Sequence, residues 1–244
     1  MLTTNRTLKL AVLVAATLAP LGLAAPAFAD PRVGPIDLQP LTTLLTPSPP
    51  ATPAPAAPAG PDVPSALQVE HQLDLLHFDP GPVDGAVDED TSHAVMAFQK
   101  AFGMERTGQL TDPVATTIMA TTAPPSPLHP GGGANRVEID LTRQILMVYE
   151  GDSLARVLPV SSGTADTPTP TGSYTIYRRV SGWETSPLGR LYNSQYFVGG
   201  YAIHGSLSVP GHPASHGCVR IPMRAADWLP HHVGFGTPVY VMGG

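Results

Sequence analysis

The chain has a single cysteine, Cys218, in the run Ser215-His216-Gly217-Cys218-Val219-Arg220. Fourteen positions before it, His204 stands in the run Tyr201-Ala202-Ile203-His204-Gly205. A thiol attacks only as its thiolate, and a free cysteine has a pKa of about 8.5. At neutral pH it needs a partner to take the proton, and a histidine within hydrogen-bond reach is suited to that. Two histidines qualify. His204 ends a strand pattern, which would hold a general base rigidly, whereas His216 lies in a glycine-bounded turn. Gly217 leaves the backbone free to aim its amide, with that of Cys218, at a developing oxyanion. Together these residues describe acyl transfer through a thioester. The same residues admit a buried structural cysteine, an intermolecular disulfide, or a zinc site from His212, His216 and Cys218 with His204 as fourth ligand. The loop is not a standard zinc frame, so the chemistry is expected to need no metal and no cofactor.

The elements around these residues read as strands. Asn135–Leu141, Gln144–Tyr149, Leu154–Ser161, Tyr174–Tyr177, Tyr196–Ile203 and Pro238–Met242 are apolar or β-rich runs between Gly/Pro/Ser/Thr loops. Only Arg224–Leu229 suggests a helix. The spacing predicts a mainly-β domain over 135–244, sandwich or barrel-like.

Segment 65–120 has the other period. Ser65-Ala66-Leu67-Gln68 forms a capping box, and Ala66, Val69, Leu73 and Leu76 follow on one helical face. Asp90 is expected to cap a second helix carrying Val95, Phe98 and Phe102 and ended by Gly103. Asp112-Pro113 opens a third, running through Ile118. About 56 residues in three short helices bury only a thin core, so this small all-α module is expected to be accessory rather than catalytic. His71, His77 and His93 show no ligand-like spacing and read as solvated or capping residues.

The remaining segments place the chain in a compartment. Arg6 and Lys9, the apolar run Leu10–Leu23 and Ala27-Phe28-Ala29 make a signal peptide over 1–29, cleaved after Ala29. Left uncleaved, the 20 residues Leu10–Ala29 could instead anchor the chain in a membrane. Residues 30–64 form a Pro/Ala-rich linker, and 121–134 a second, shorter one. The mature protein is expected to be secreted, periplasmic or wall-associated, with no membrane contact after cleavage. Nucleic acid is excluded as a partner by a formal charge of −6 and the absence of a basic stripe. The acidity concentrates in 65–120. The sequence leaves the oligomeric state open.

Two stretches resemble known families. Asp79-Pro80-Gly81, Val83-Asp84-Gly85, Thr91, Ala97-Phe98-Gln99, Gly103 and Thr107-Gly108 resemble peptidoglycan-binding domain 1, a three-helix module that docks on cell-wall glycopeptide. His204-Gly205 and Ser215–Arg220, with Val160-Ser161-Ser162-Gly163 and Thr167-Pro168-Thr169-Pro170-Thr171-Gly172 before them, resemble the L,D-transpeptidase (YkuD) catalytic domain. The resemblance implies a cysteine enzyme acting on peptidoglycan stem peptides and glycan. Such an enzyme releases D-alanine from a tetrapeptide stem and passes the acyl group to an amine, giving 3→3 cross-links. It also implies roles: Cys218 as nucleophile, His204 as base, the Gly205 carbonyl orienting His204, and His216 supporting thiolate and substrate. The Gly217 and Cys218 amides would form the oxyanion hole and Arg220 would brace the motif, with Ser215 and Tyr201 among the substrate contacts. Arg220 stands where many members carry Asn, and Gly205 where some carry Ser. The alternatives are an L,D-carboxypeptidase working through the same acyl-enzyme, and a non-catalytic wall-binding protein.

Overall fold

The computed structural model describes residues 63–129 and 134–244. The predicted signal peptide, nearly all of the Pro/Ala-rich linker and part of the second linker lie outside the described residues.

Three helices open the described chain: α1 (Ala66–Leu75), α2 (Glu89–Ala101) and α3 (Asp112–Ala120). The capping box forms as the sequence predicts. Gln68 N–H donates to Ser65 Oγ at 3.3 Å and Ser65 N–H to Gln68 Oε1 at 2.8 Å. The other two caps shift. Asp88, not Asp90, caps α2 by accepting from Thr91 N–H at 2.9 Å, and that bond lowers its pKa. Asp90 falls inside the first turn. Thr111 is the cap residue of α3, which places Asp112 and Pro113 inside that helix. The acidic turn between α1 and α2 is pinned from within by Glu70. Its buried carboxylate accepts from Asp84 N–H at 3.0 Å, Gly85 N–H at 2.7 Å and Thr91 Oγ1 at 3.0 Å.

The remaining chain forms two five-stranded sheets, as the mainly-β reading expects. The first takes β1 (Arg136–Asp140), β2 (Ile145–Glu150), β3 (Ser153–Pro159), β4 (Gly172–Thr175) and β10 (Pro238–Met242) in the order β3-β2-β1-β10-β4. The second takes β5 (Arg178–Arg179), β6 (Trp183–Ser186), β7 (Gly189–Val198), β8 (Tyr201–Gly205) and β9 (Val219–Ile221). Its path is β5-β7-β8-β9, with β6 also paired to β7. Both sheets are mixed, since β1–β10 and β8–β9 run parallel and the other pairs antiparallel. The helix expected at Arg224–Leu229 is α4 (Met223–Trp228).

Burial explains why β2 reads as the unbroken run Ile-Leu-Met-Val-Tyr. Leu146 and Val148 enter the core shared by the two sheets with Ile139, Phe197, Ile203 and Val219. Ile145, Met147 and Tyr149 point the other way and join Val69, Leu73, Val95, Phe98 and Ile118 of the helices in a second core. A strand covered on both faces has no reason to alternate. The helices are therefore packed on the first sheet and share a core with it, and Arg156 of β3 bonds Asp79 of the helical segment at 2.7 Å.

Lys100 of α2 lies at the same junction. It is fully buried and donates from Nζ to Val160 O at 2.7 Å and Pro210 O at 3.2 Å. Burial, reinforced by the charge of Arg106, brings its pKa down from 10.5 to about 7. A base whose folded pKa is depressed makes stability rise with pH between its folded and unfolded values, because only the unfolded chain then holds the proton. The parent should therefore gain thermal stability over Lys100→Met from pH 7 towards 10.5 and show no such trend below pH 7. Paired melts across that range measure it.

Candidate active site

Strand register assembles the site. β8 and β9 lie side by side with Ile203 opposite Val219, His204 opposite Arg220 and Gly205 opposite Ile221. Ile203, Val219 and Ile221 face the core between the sheets. Alternation then sends Ala202, His204, Cys218 and Arg220 to the opposite face. There Cys218 packs beside Leu191, Tyr196 and Ala202. His204, Ser215, His216, Cys218 and Arg220 all line one cleft of about 720 Å³.

His204 is 6% exposed and its Nδ1 lies 2.9 Å from Gly205 O. A carbonyl only accepts, so Nδ1 carries the hydrogen and Nε2 is left as the basic nitrogen. Burial holds the imidazole below its ordinary pKa; the Gly205 bond opposes this and the charge of Arg220 adds to it. The ring is thus neutral at physiological pH and ready to accept a proton. Burial also raises the Cys218 pKa, against the lowering effects of the Ala202 backbone amide and Arg220. The resting pair is therefore a neutral thiol and a neutral imidazole, rather than a preformed ion pair.

The turn carrying the cysteine is held by internal bonds. Buried Ser215 donates from Oγ to Cys218 O at 2.5 Å and accepts from Gly217 N–H at 3.0 Å. Gly217 has φ +109°, and a Cβ there would lie 2.2 Å from Cε1 of Tyr201. Only glycine fits. Gly205 is required for a different reason, since its Cβ would meet Ala226 Cβ of α4 at 2.7 Å. The segment 161–169 clamps the turn from outside. Ser161 and Arg220 exchange backbone bonds at 3.0 and 3.1 Å. Thr169 Oγ1 donates to Gly217 O at 2.8 Å and Thr167 Oγ1 to Ser215 O at 3.1 Å.

These bonds reassign several residues read from the sequence. The Gly217 amide is already held by Ser215 and Gly217 does not line the cleft, whereas the Gly205 carbonyl meets His204 Nδ1 in the arrangement the resemblance implies. Tyr201 does not line it either; it packs beneath Gly217 and against the core between the sheets. The Ser215 hydroxyl is engaged within the turn. His216 is exposed at the cleft. His212 lies outside the lining, and among the described residues no three His, Cys, Asp or Glu side chains are grouped as metal ligands. Sequence reasoning missed the opposite wall, formed by the β6–β7 hairpin with Trp183, Leu188 and Arg190, and by Tyr196. Tyr196 Oη donates to Glu184 at 2.9 Å, and burial with that bond pushes its pKa up to about 12. No periodicity marks this wall; the one available signal is the aromatic and arginine content between 178 and 196.

Two family models match the chain: an L,D-transpeptidase catalytic domain over residues 134–241 and a peptidoglycan binding domain over 63–117. An L,D-transpeptidase from Xylanimonas cellulosilytica is 33% identical and superposes with a TM-score of 0.69, the match covering 76% of this chain and 100% of that one. One from Stackebrandtia nassauensis is 25% identical with a TM-score of 0.49, over 80% of this chain and 98% of the other. No curated protein matches.

Proposed function

This chain belongs to the L,D-transpeptidase family, and from that premise we propose that it cross-links peptidoglycan by cysteine acyl transfer. His204 Nε2 takes the Cys218 proton as Sγ attacks the carbonyl between the third stem residue and D-alanine. The Cys218 amide is the oxyanion donor we assign. Collapse breaks the C–N bond, the leaving D-alanine amine takes the proton from His204, and a thioester remains. An acceptor amine then attacks the thioester and gives its surplus proton to His204. The new amide forms, the Cys218 thiolate leaves, and His204 returns the proton to it. Ser215, Gly217 and Tyr201 shape the turn, Arg220 lowers the pKa of both reacting groups, and His216 contacts substrate from the cleft rim. The helical module holds the enzyme on wall material outside the cytoplasm.

One observation carries this reading. A neutral imidazole with Nδ1–H fixed on Gly205 O shares a sheet face and a cleft with the thiol. Such a pair passes a proton during attack and needs no stored thiolate. Incubation of the chain with a disaccharide-tetrapeptide in excess chelator, followed by mass spectrometry, tests it. Free D-alanine together with a dimer lacking one D-alanine is the expected result. D-alanine and tripeptide without dimer would assign a carboxypeptidase, and unaltered substrate a wall-binding protein.

A further inference from the structure

The chain has a formal net charge of −6, yet its cleft is cationic. Arg178, Arg190 and Arg220 line it, and no carboxylate does. Glu184 accepts from Tyr196 and pairs with Arg178 at 3.2 Å, so one of the three charges is answered by the protein. Arg220 is explained by the reacting pair, whose face of the sheet it shares. Arg190 remains. Among the described residues it has no carboxylate within ion-pair distance.

Arg190 lies on β7 opposite Thr185, and its guanidinium stacks 4.3 Å above the indole of Trp183. Stacking fixes the plane of the group without using any N–H donor. A planar fork of free donors held at the edge of a cleft is suited to bidentate binding of a carboxylate. Stem peptides carry such groups. We infer that Arg190 is a specificity determinant that binds a free carboxylate of the donor stem in the cleft that holds Cys218. The inference rests on the acyl-transfer reading above. The carboxylate has three sources: an earlier stem residue, the side chain of the third residue, or terminal D-alanine.

Four donors test it: the parent tetrapeptide and three versions, each with one of these carboxylates converted to a carboxamide. One amidation should lower kcat/KM for release of the terminal residue, which is D-alaninamide from the donor amidated there, by about ten- to hundred-fold, the scale of a charge-assisted hydrogen bond. That donor identifies the source. Arg190→Gln should bring its ratio close to one, whereas Arg190→Lys, with charge but no fork, should keep part of it. The parent's preference should also shrink as salt rises. Equal turnover of all four donors by the parent would overturn the inference and leave acyl transfer standing. A preference that survives in Arg190→Gln would do the same. If that variant does not fold, the salt series on the parent decides, and a salt-independent preference overturns the inference. No D-alanine from any donor would remove the acyl-transfer reading and this inference with it.

Discussion

Cys218→Ser should lose both turnover and acylation by a carbapenem β-lactam, an electrophile that the family resemblance points to. A serine hydroxyl holds its proton far more tightly than a thiol, and the base available to it is weakened. Burial keeps His204 below its ordinary pKa, which makes it a poor match for an alcohol. His204→Ala should separate the two halves of the mechanism. Near neutral pH its acylation rate should fall by about 10²–10⁴-fold, the usual contribution of a general base. With no internal base the rate should then climb with pH until the thiol ionises. That point lies above the ordinary thiol range, because burial raises the Cys218 pKa. The parent should depend much less on pH across the same range. Stopped-flow or mass-spectrometric measurement of adduct formation follows all three proteins. An adduct on Cys218→Ser formed as fast as on the parent removes the cysteine mechanism. If His216→Ala abolishes acylation while His204→Ala leaves it intact, the two histidines exchange roles.

Deleting the chain before residue 121 should cost the catalytic domain most of its stability. Taken alone, the composition of 65–120 suggests a detachable docking module whose loss weakens wall binding and leaves small soluble stems turned over. The shared core makes detachment costly. Removing the helices exposes Ile145, Met147, Tyr149 and Val157 on the outer face of the first sheet. Each large apolar side chain returned to water costs roughly 1.5–3 kcal/mol. Four of them amount to a large part of the roughly 5–15 kcal/mol that holds a typical domain folded. The cut also removes Lys100 from the carbonyls of Val160 and Pro210 and Asp79 from Arg156. Thermal melting should show a large loss of Tm or an aggregated product. A truncated domain melting within a few degrees of the full chain, with unchanged turnover, would restore the detachable module.

The helical module and the β domain were legible in the sequence because each rests on short-range period. The capping box of Ser65 and Gln68 depends on residues three apart, and it forms as read. Thr111 takes the cap position of α3 without a side-chain bond, and the cap of α2 was misplaced by two residues because Asp88 and Asp90 are chemically able to do the same work. Which one does so depends on the path of the incoming loop, and in α2 Glu70 sets that path from another helix. β9 was missed because three residues are too few to show alternation, and its parallel partner is far away in sequence.

In the candidate site, the residue types show a thiol, two candidate base histidines and flexible glycines between positions 204 and 218. That much is local chemistry. Tertiary structure decided what each does. The Gly217 amide is spent on the Ser215 hydroxyl inside the turn, and the φ of +109° at Gly217, with the Tyr201 ring standing where a Cβ would lie, admits glycine alone. The resting protonation of Cys218 and His204 follows from depth of burial, which no spacing reports. The wall of Trp183 and Arg190 exists only because β6 folds back on β7. The unbroken apolar run of β2 is settled in the same way. Its composition shows that the strand is buried, but only the packing of helices on one side and a second sheet on the other explains why both faces are apolar. A hydrophobic residue carries the information that it must leave water; the surface that will cover it is supplied by chain remote in sequence.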